Sequence, residues 1–395
     1  MIIDSYSLSI LAFIVLLAVI IYRDRKNIKI SNYVLITRRS RKGIEILDKM
    51  GKYKKFWKVV GFIGILTAFY LMIVGVSSLF EVSKKIITSE ITGPTGGIIL
   101  PSPTKSTIFG PGFIGIPFWI WIFILPLIMI PHELLHGIMS RVEKVRVKSF
   151  GFLLFLILPG AFVEPDDEKI KRLKLVNKLR IFVAGSFANF LVAMLLFNPL
   201  LNIGLIPNVV WPSFVSNGGY IVDVNKTSPA FLAGVPVNAI LTHINGEELK
   251  IGYTDFLAGT YLPKSLENKT NETMILTVNG TNYSVMPSHV TTDNKTTPYI
   301  GLSIKPIIKT NEELFVTFIF PFFNWLWLLS LGVSIVNILP IYPLDGGLVV
   351  QSIVKRFVKK MKYQNVILSL VTTITIALLI FAILGPYLIR LPQFF

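Results

Sequence analysis

The sequence predicts an α-helical polytopic membrane protein of about six transmembrane helices, carrying a small mixed α/β insert outside the bilayer. Three observations predict it. The chain is 52% hydrophobic with mean hydropathy +0.65, far too apolar for an ordinary soluble protein. Six apolar stretches, at about 6–22, 58–80, 113–140, 181–206, 314–340 and 363–388, have the length of membrane spans, for which a helix needs roughly 20 residues. Lys and Arg crowd into alternate connecting segments.

The first stretch is short, and no Lys or Arg precedes it, whereas a basic cluster follows it. That order is the reverse of a secretory signal, so residues 6–22 read as an uncleaved helix with its N-terminus outside. Most of the 39 Lys and Arg fall in 23–58, 141–180 and 355–362, and the positive-inside rule places those segments in the cytoplasm. Segments 81–112 and 207–313 are then extracytoplasmic. Six N-x-S/T acceptors, at Asn225, Asn268, Asn271, Asn279, Asn282 and Asn294, agree with that side for the second of them. The net charge of +17 is therefore a property of cytoplasmic loops, and nothing resembling a nucleic-acid fold accompanies it.

The third stretch contains PLIMIPHELLHGIM, with His132, Glu133 and His136. Each ionisable residue at mid-membrane costs about 2.5–3.5 kcal/mol on insertion scales, so three within five positions require a purpose. Residues four apart share one helix face, which lets both imidazoles reach one metal ion. A glutamate beside the first ligand is placed to act as the base on water, the pattern of zinc proteases. The chain has no Cys and four His in all, so further ligands must be His, Asp or Glu. His243 and His289 read as surface or satisfied histidines.

A catalytic zinc site takes a third protein ligand. The segment VNILPIYPLDGG follows the fifth stretch on the same cytoplasmic side and contains Asn337, Pro340, Pro343, Asp345, Gly346 and Gly347. Pro340 and Pro343 end a regular helix, which membrane depth tolerates around a protein-lined cavity. Asp345 reads either as the N-cap of the helix that follows or as the missing ligand, and its matched depth favours the ligand.

HELLH, NILPIYPLDGG and the intervening AGSFANF (Gly185 to Asn189) together resemble the site-2 protease family of intramembrane zinc metalloproteases over roughly residues 113–365. The resemblance implies a catalytic core of spans three, four and five. It implies one Zn2+ held by His132, His136 and Asp345, with Glu133 as catalytic acid/base and Asn189 and Asn337 lining the site toward substrate or oxyanion. Members often have Pro after the Gly of the middle motif, where this chain has Ser186.

Two further segments complete the chain. SFGFLLFLILPGAFVE (149–164) is too short to cross and return as helices, and Pro159-Gly160 breaks it, so a re-entrant β-hairpin is expected. Residues 212–306 are polar and strand-like. The run from Gly219 to Leu249 resembles a PDZ domain: a Gly219-Tyr220-Ile221-Val222 loop that could capture a C-terminal peptide carboxylate, Ser-Pro-Ala opening a short helix, and an Ile244-Asn245-Gly246 turn.

The expected organisation is 1–112, two helices joined by the basic loop 23–58; 113–206, the first part of the membrane core; 212–306, the PDZ-like insert; 314–362, the second part of the core; and 363–395, the last span. The expected protein is a multi-pass cell-membrane metalloendopeptidase. It would cut transmembrane protein substrates in the lipid bilayer, within regulated intramembrane proteolysis. The competing readings are an inactive homologue that captures membrane segments and a metal transporter.

Overall fold

The computed structural model describes residues 4–31, 35–91, 95–105, 107–155, 158–196, 215–252, 272–292, 295–307 and 318–389. The chain divides into two units, Met1–Phe197 with Pro321–Phe395, and Asn198–Phe320.

The first unit opens with α1 (Ser5–Asp24), which buries no residue and presents Leu8, Leu11, Val15 and Leu16 outward. A helix apolar all round with an exposed surface is solvated by lipid. Its inner side meets the start of α4, where Trp119 donates to Ser9 Oγ at 3.0 Å. The basic segment after α1 contains β1 (Ile28–Ser31), β2 (Leu35–Arg39) and α2 (Arg41–Met50). The strands were not expected from the sequence.

Helix α3 (Lys54–Ile87) has 34 residues, longer than the 58–80 stretch that predicts it. Gly61, Gly64, Ala68 and Gly75 on it are buried. A Cβ at Gly61 would fall 2.8 Å from Met139, at Gly64 3.2 Å from Phe187, and at Gly75 3.0 Å from Ile335. Small residues let helix backbones approach closely where no hydrophobic force drives packing. α3 thereby backs three other helices at once, as a support of the core.

Residues 113–117, expected as the start of the third span, are a strand instead. β3 (Ile98–Ser102), β4 (Ile108–Gly110) and β5 (Phe113–Pro117) make a sheet in the order β3-β5-β4. A short apolar run does not by itself distinguish strand from helix. Helix α4 (Phe118–Val142) then carries HELLH and contains Pro126 and Pro131. It is more deeply buried than any other candidate span.

The predicted hairpin is present as β6 (Val147–Phe155) and β7 (Leu158–Pro165). β2 joins it, giving the antiparallel order β1-β2-β6-β7. β6 is therefore interior, and among the described residues β7 is the free edge on the hairpin side. α5 (Asp167–Lys171) follows. The fourth span is not the single helix at 181–206 that hydropathy suggests: α6 (Leu175–Phe182) and α7 (Ala184–Leu195) meet at a 47° bend. Residues 197–206 of that expected span lie outside the described ones.

The second unit is built on an antiparallel sheet. β8 (Val215–Asn217) pairs with β12 (Lys250–Gly252), while β9 (Gly219–Val224), β10 (Ala239–Ile244), β11 (Glu247–Glu248), β13 (Met274–Val278), β14 (Thr281–Val285) and β17 (Leu302–Pro306) form the larger sheet, in the order β14-β13-β10-β9-β17. β15 (Ser288–Thr292) and β16 (Lys295–Tyr299) make a hairpin. Helix α8 (Pro229–Leu232) starts at Ser228, whose hydroxyl accepts from Phe231 N at 3.3 Å. Asn279 and Gly280 both have positive φ, the type I′ chemistry expected of an Asn-Gly hairpin. Ile221, Leu241, Ile244 and Leu276 centre the core. Gly219 to Val222 are strand rather than loop: β9 is hydrogen-bonded to β10 on one side and β17 on the other. Both of its edges are hydrogen-bonded and Ile221 is buried, so no further strand pairs with β9. His243 lies on β10 with Nδ1 3.0 Å from Thr242 Oγ1. His289 lies on β15. Acceptors Asn268, Asn271 and Asn294 lie outside the described residues.

The chain re-enters the first unit with α9 (Phe320–Ile338), α10 (Asp345–Phe357) and α11 (Met361–Leu388). Between α9 and α10 the backbone folds sharply on itself. A Cβ at Gly346 would come 1.9 Å from Ile338 O, and one at Gly347 2.4 Å from Ile341 O. The two glycines after Asp345 are needed for that close approach. Among the described residues, five helices are long and apolar enough to cross a membrane, six if the bent α6–α7 pair counts as one span.

Candidate metal centre

Two helices far apart in the chain deliver three metal-binding side chains to one point. α4 supplies His132 and His136, whose rings lie 4.9 Å apart. α10 supplies Asp345 from its first turn; Leu344 holds the N-cap position and no side chain caps the helix. Asp345 is thus not an N-cap. Its Oδ2 lies 3.7 Å from His132 Nε2, and its Oδ1 lies 3.4 Å from His136 Nε2. One ligand atom from each of the three residues falls within 4.8 Å of the others.

The bent α6–α7 pair orients these groups. His136 Nδ1 lies 2.7 Å from Ile181 O, so it donates to that carbonyl and leaves its Nε2 lone pair toward Asp345. Ser186 donates to Asp345 Oδ2 at 2.9 Å, and Ser334 on α9 donates to Ser186 O at 2.7 Å. The Ser that replaces the family's Pro therefore holds the carboxylate. Asn189 is fully buried, with Nδ2 3.1 Å from His132 Nδ1 and Oδ1 without a partner among the described residues. The amide's two ends interchange by a 180° turn. With Oδ1 toward the ring it accepts His132 Nδ1–H, which frees Nε2 for a metal and gives the orphaned oxygen its partner.

Gly185 closes the floor. A Cβ there would lie 2.3 Å from His136 Nε2 and 2.4 Å from His132 Nε2, so the two nitrogens look onto a space that any larger residue fills. Two imidazoles, one carboxylate, hydrogen-bonded outer partners and a Cβ-free floor fit Zn2+.

Glu133 approaches the same place from α4. Val163 N on β7 donates to its Oε2 at 2.9 Å. A cavity of about 500 Å³ runs from this point along α4. Glu133, Asn189, Asn337 and Asp345 line its polar end, and Trp121, Leu125, Ile128 and Leu329 are among its apolar lining. His132, Glu133, His136, Asp345, Asn189 and Asn337 are thus brought together, whereas Gly219 to Val222 belong to the other unit. Val163, Ile181, Gly185 and Ser186 escape sequence reasoning as supporting groups. Only the family's Gly-x-x-x-Asn element pointed toward the last two.

Uncharacterized protein MJ0971 of Methanocaldococcus jannaschii is 28% identical over 342 residues, 85% of this chain and 83% of that protein. The model of Peptidase family M50 matches residues 120–382, a span that contains both histidines, the bent helix pair and Asp345. The chain belongs to peptidase family M50, the membrane metalloproteases of the site-2 protease kind.

Proposed function

We propose that this protein is an intramembrane zinc endopeptidase that hydrolyses a peptide bond inside a transmembrane segment of a membrane-anchored protein. The observation that carries the reading is the convergence of His132, His136 and Asp345 within 4.8 Å, at the polar end of an apolar cavity that Glu133 also lines. His132 Nε2, His136 Nε2 and an Asp345 carboxylate oxygen would hold one Zn2+. When bound, zinc supplies Lewis acidity, making water a nucleophile near neutral pH and polarising the scissile carbonyl.

The chain's own groups do the rest. Glu133 takes the proton of the attacking water and passes it to the leaving amide nitrogen. Val163 N–H fixes the Glu133 carboxylate. Asn337, on the cavity wall, donates to the charge that develops on the carbonyl oxygen or to the substrate backbone. Asn189 positions His132. The free β7 edge, whose Val163 contacts the general base, accepts an unwound substrate strand by β-augmentation. An intact helix hides its carbonyls, so local unwinding must precede attack.

The charge distribution supports an orientation with the N-terminus and the 212–306 insert outside and the metal centre toward the cytoplasmic side. The insert, a small sheet with a short helix, is read as a PDZ-like module that screens substrates of regulated proteolysis by size or by a terminus.

The test is cleavage of a fluorescent membrane-anchored substrate in proteoliposomes, with the cut bond mapped by mass spectrometry. The expected cut lies within the substrate's hydrophobic segment and is lost on chelation. Val163→Pro, which removes the N–H that holds Glu133, should lower kcat by about 10–100-fold with zinc content unchanged. A cut in a soluble loop, or chelator-resistant cleavage, would refute the function. An unaltered rate in Val163→Pro would remove β7 from the mechanism.

A further inference from the structure

A second polar cavity, of about 740 Å³, lies between α6 and α10. Four cations line it: Lys174, Lys178, Lys355 and Arg356, together with Asn177 and Ser352. None of its lining residues is acidic, and among the described residues no ion pair engages any of the four. Lys178 is partly exposed while Lys174, Lys355 and Arg356 are exposed, so four like charges share one water-facing cavity and repel one another. Lys174 occupies the N-cap position of α6, where no side chain caps the helix. A cation there opposes the positive end of the helix dipole. Both facts favour a bound anion.

The surroundings choose among anions. Val176, in the cavity lining, is 46% exposed, and Phe357, which follows Arg356 in the chain, is 74% exposed. The candidate span α11 begins at Met361, five residues after Arg356 of the cavity lining. Cations facing a cavity whose lining also includes Leu173, Leu175 and the exposed Val176, a few residues before a candidate span, fit the phosphate and first acyl carbons of a lipid. A free phosphate has no use for the apolar flank.

We infer that the α6–α10 cavity binds the phosphate head group of an anionic phospholipid. The lipid would tie together two helices that also hold the metal centre. α6 gives Ile181 O to His136, and α10 begins with Asp345. That coupling rests on the proteolytic reading; the binding does not, and it is measured without activity.

The experiment is native mass spectrometry of the purified full chain with added phosphatidylglycerol or phosphatidylcholine. The wild type should retain phosphatidylglycerol selectively. Lys178→Gln with Arg356→Gln should bind it roughly thirty-fold more weakly, and Lys52→Gln with Lys54→Gln, at a different basic surface, should bind as the wild type does. Lys355→Gln, at an exposed position, should weaken binding by a smaller factor and serves if the double variant misfolds. Equal retention of both lipids, equal losses in the two double variants, or no loss in Lys355→Gln and the cavity double variant would overturn the assignment. Thermal protection by inorganic phosphate alone matching that by phosphatidylglycerol would also overturn it, in favour of a soluble anion.

Discussion

Glu133→Gln is expected to lose peptide hydrolysis by about 10²–10⁴-fold while keeping its zinc. The substitution preserves side-chain volume and leaves an oxygen to accept Val163 N–H, but it removes the basicity that takes the proton from water. Glu133 is not one of the three convergent ligand groups, so metal content should equal that of the wild type. Parallel cleavage assays and elemental analysis of the two purified proteins check this. Retained turnover would assign the base elsewhere, and loss of zinc would make Glu133 a ligand.

Gly185→Ala is expected to fail earlier, at the metal. The added methyl would enter the space faced by both Nε2 atoms, 2.3 and 2.4 Å from them, far inside van der Waals contact. The two imidazoles would have to turn away from Asp345, breaking the hydrogen bonds of His136 to Ile181 and of Asn189 to His132. Zinc affinity should drop by at least about 100-fold, the upper range for disturbing groups around a metal, and cleavage should fall with it. Gly332→Ala on α9, where a Cβ meets nothing within 4 Å, is the matched control and should retain both. A zinc-replete, active Gly185→Ala protein would mean that the histidines do not bind through Nε2.

These two outcomes differ in how readily the sequence announces them. His132, Glu133 and His136 are legible because a helix turns four residues into one face, a purely local rule. Asp345 is legible because two prolines and a carboxylate at membrane depth demand a reason. Gly185 carries no such signal: its role comes from a bend at residue 183 that contains no proline, which sets the α7 backbone against histidines some fifty residues earlier in the chain. Val163 and Ile181 contribute main-chain atoms, and no side-chain pattern encodes those. The basic segment reads as loop because Lys and Arg dominate it, yet β2 pairs with β6 along Leu35 to Arg39. Its pairing partner is more than a hundred residues away. The strand 113–117 is continuous in hydropathy with α4, so composition alone merges them. Helix count and ligand set thus follow from local rules, whereas the bend, the extra strands and the outer hydrogen bonds are tertiary.

Ser186 shows how a departure from a family motif can be read. Pro is usual there, and a Pro would have no hydroxyl. In this chain the hydroxyl donates to Asp345 Oδ2 while the neighbouring carbonyl is held by Ser334. The carboxylate is thereby held from α7, by a serine whose own carbonyl is held from α9.

The measurement that tests the centre most directly is the zinc content of the purified wild-type protein beside Asp345→Ala, with folding of both verified by circular dichroism. One zinc per wild-type chain, and a substoichiometric, readily stripped metal in the variant, is the expected result. Zinc absent from the wild type, or held equally well without Asp345, would contradict a metal centre assembled from α4 and α10.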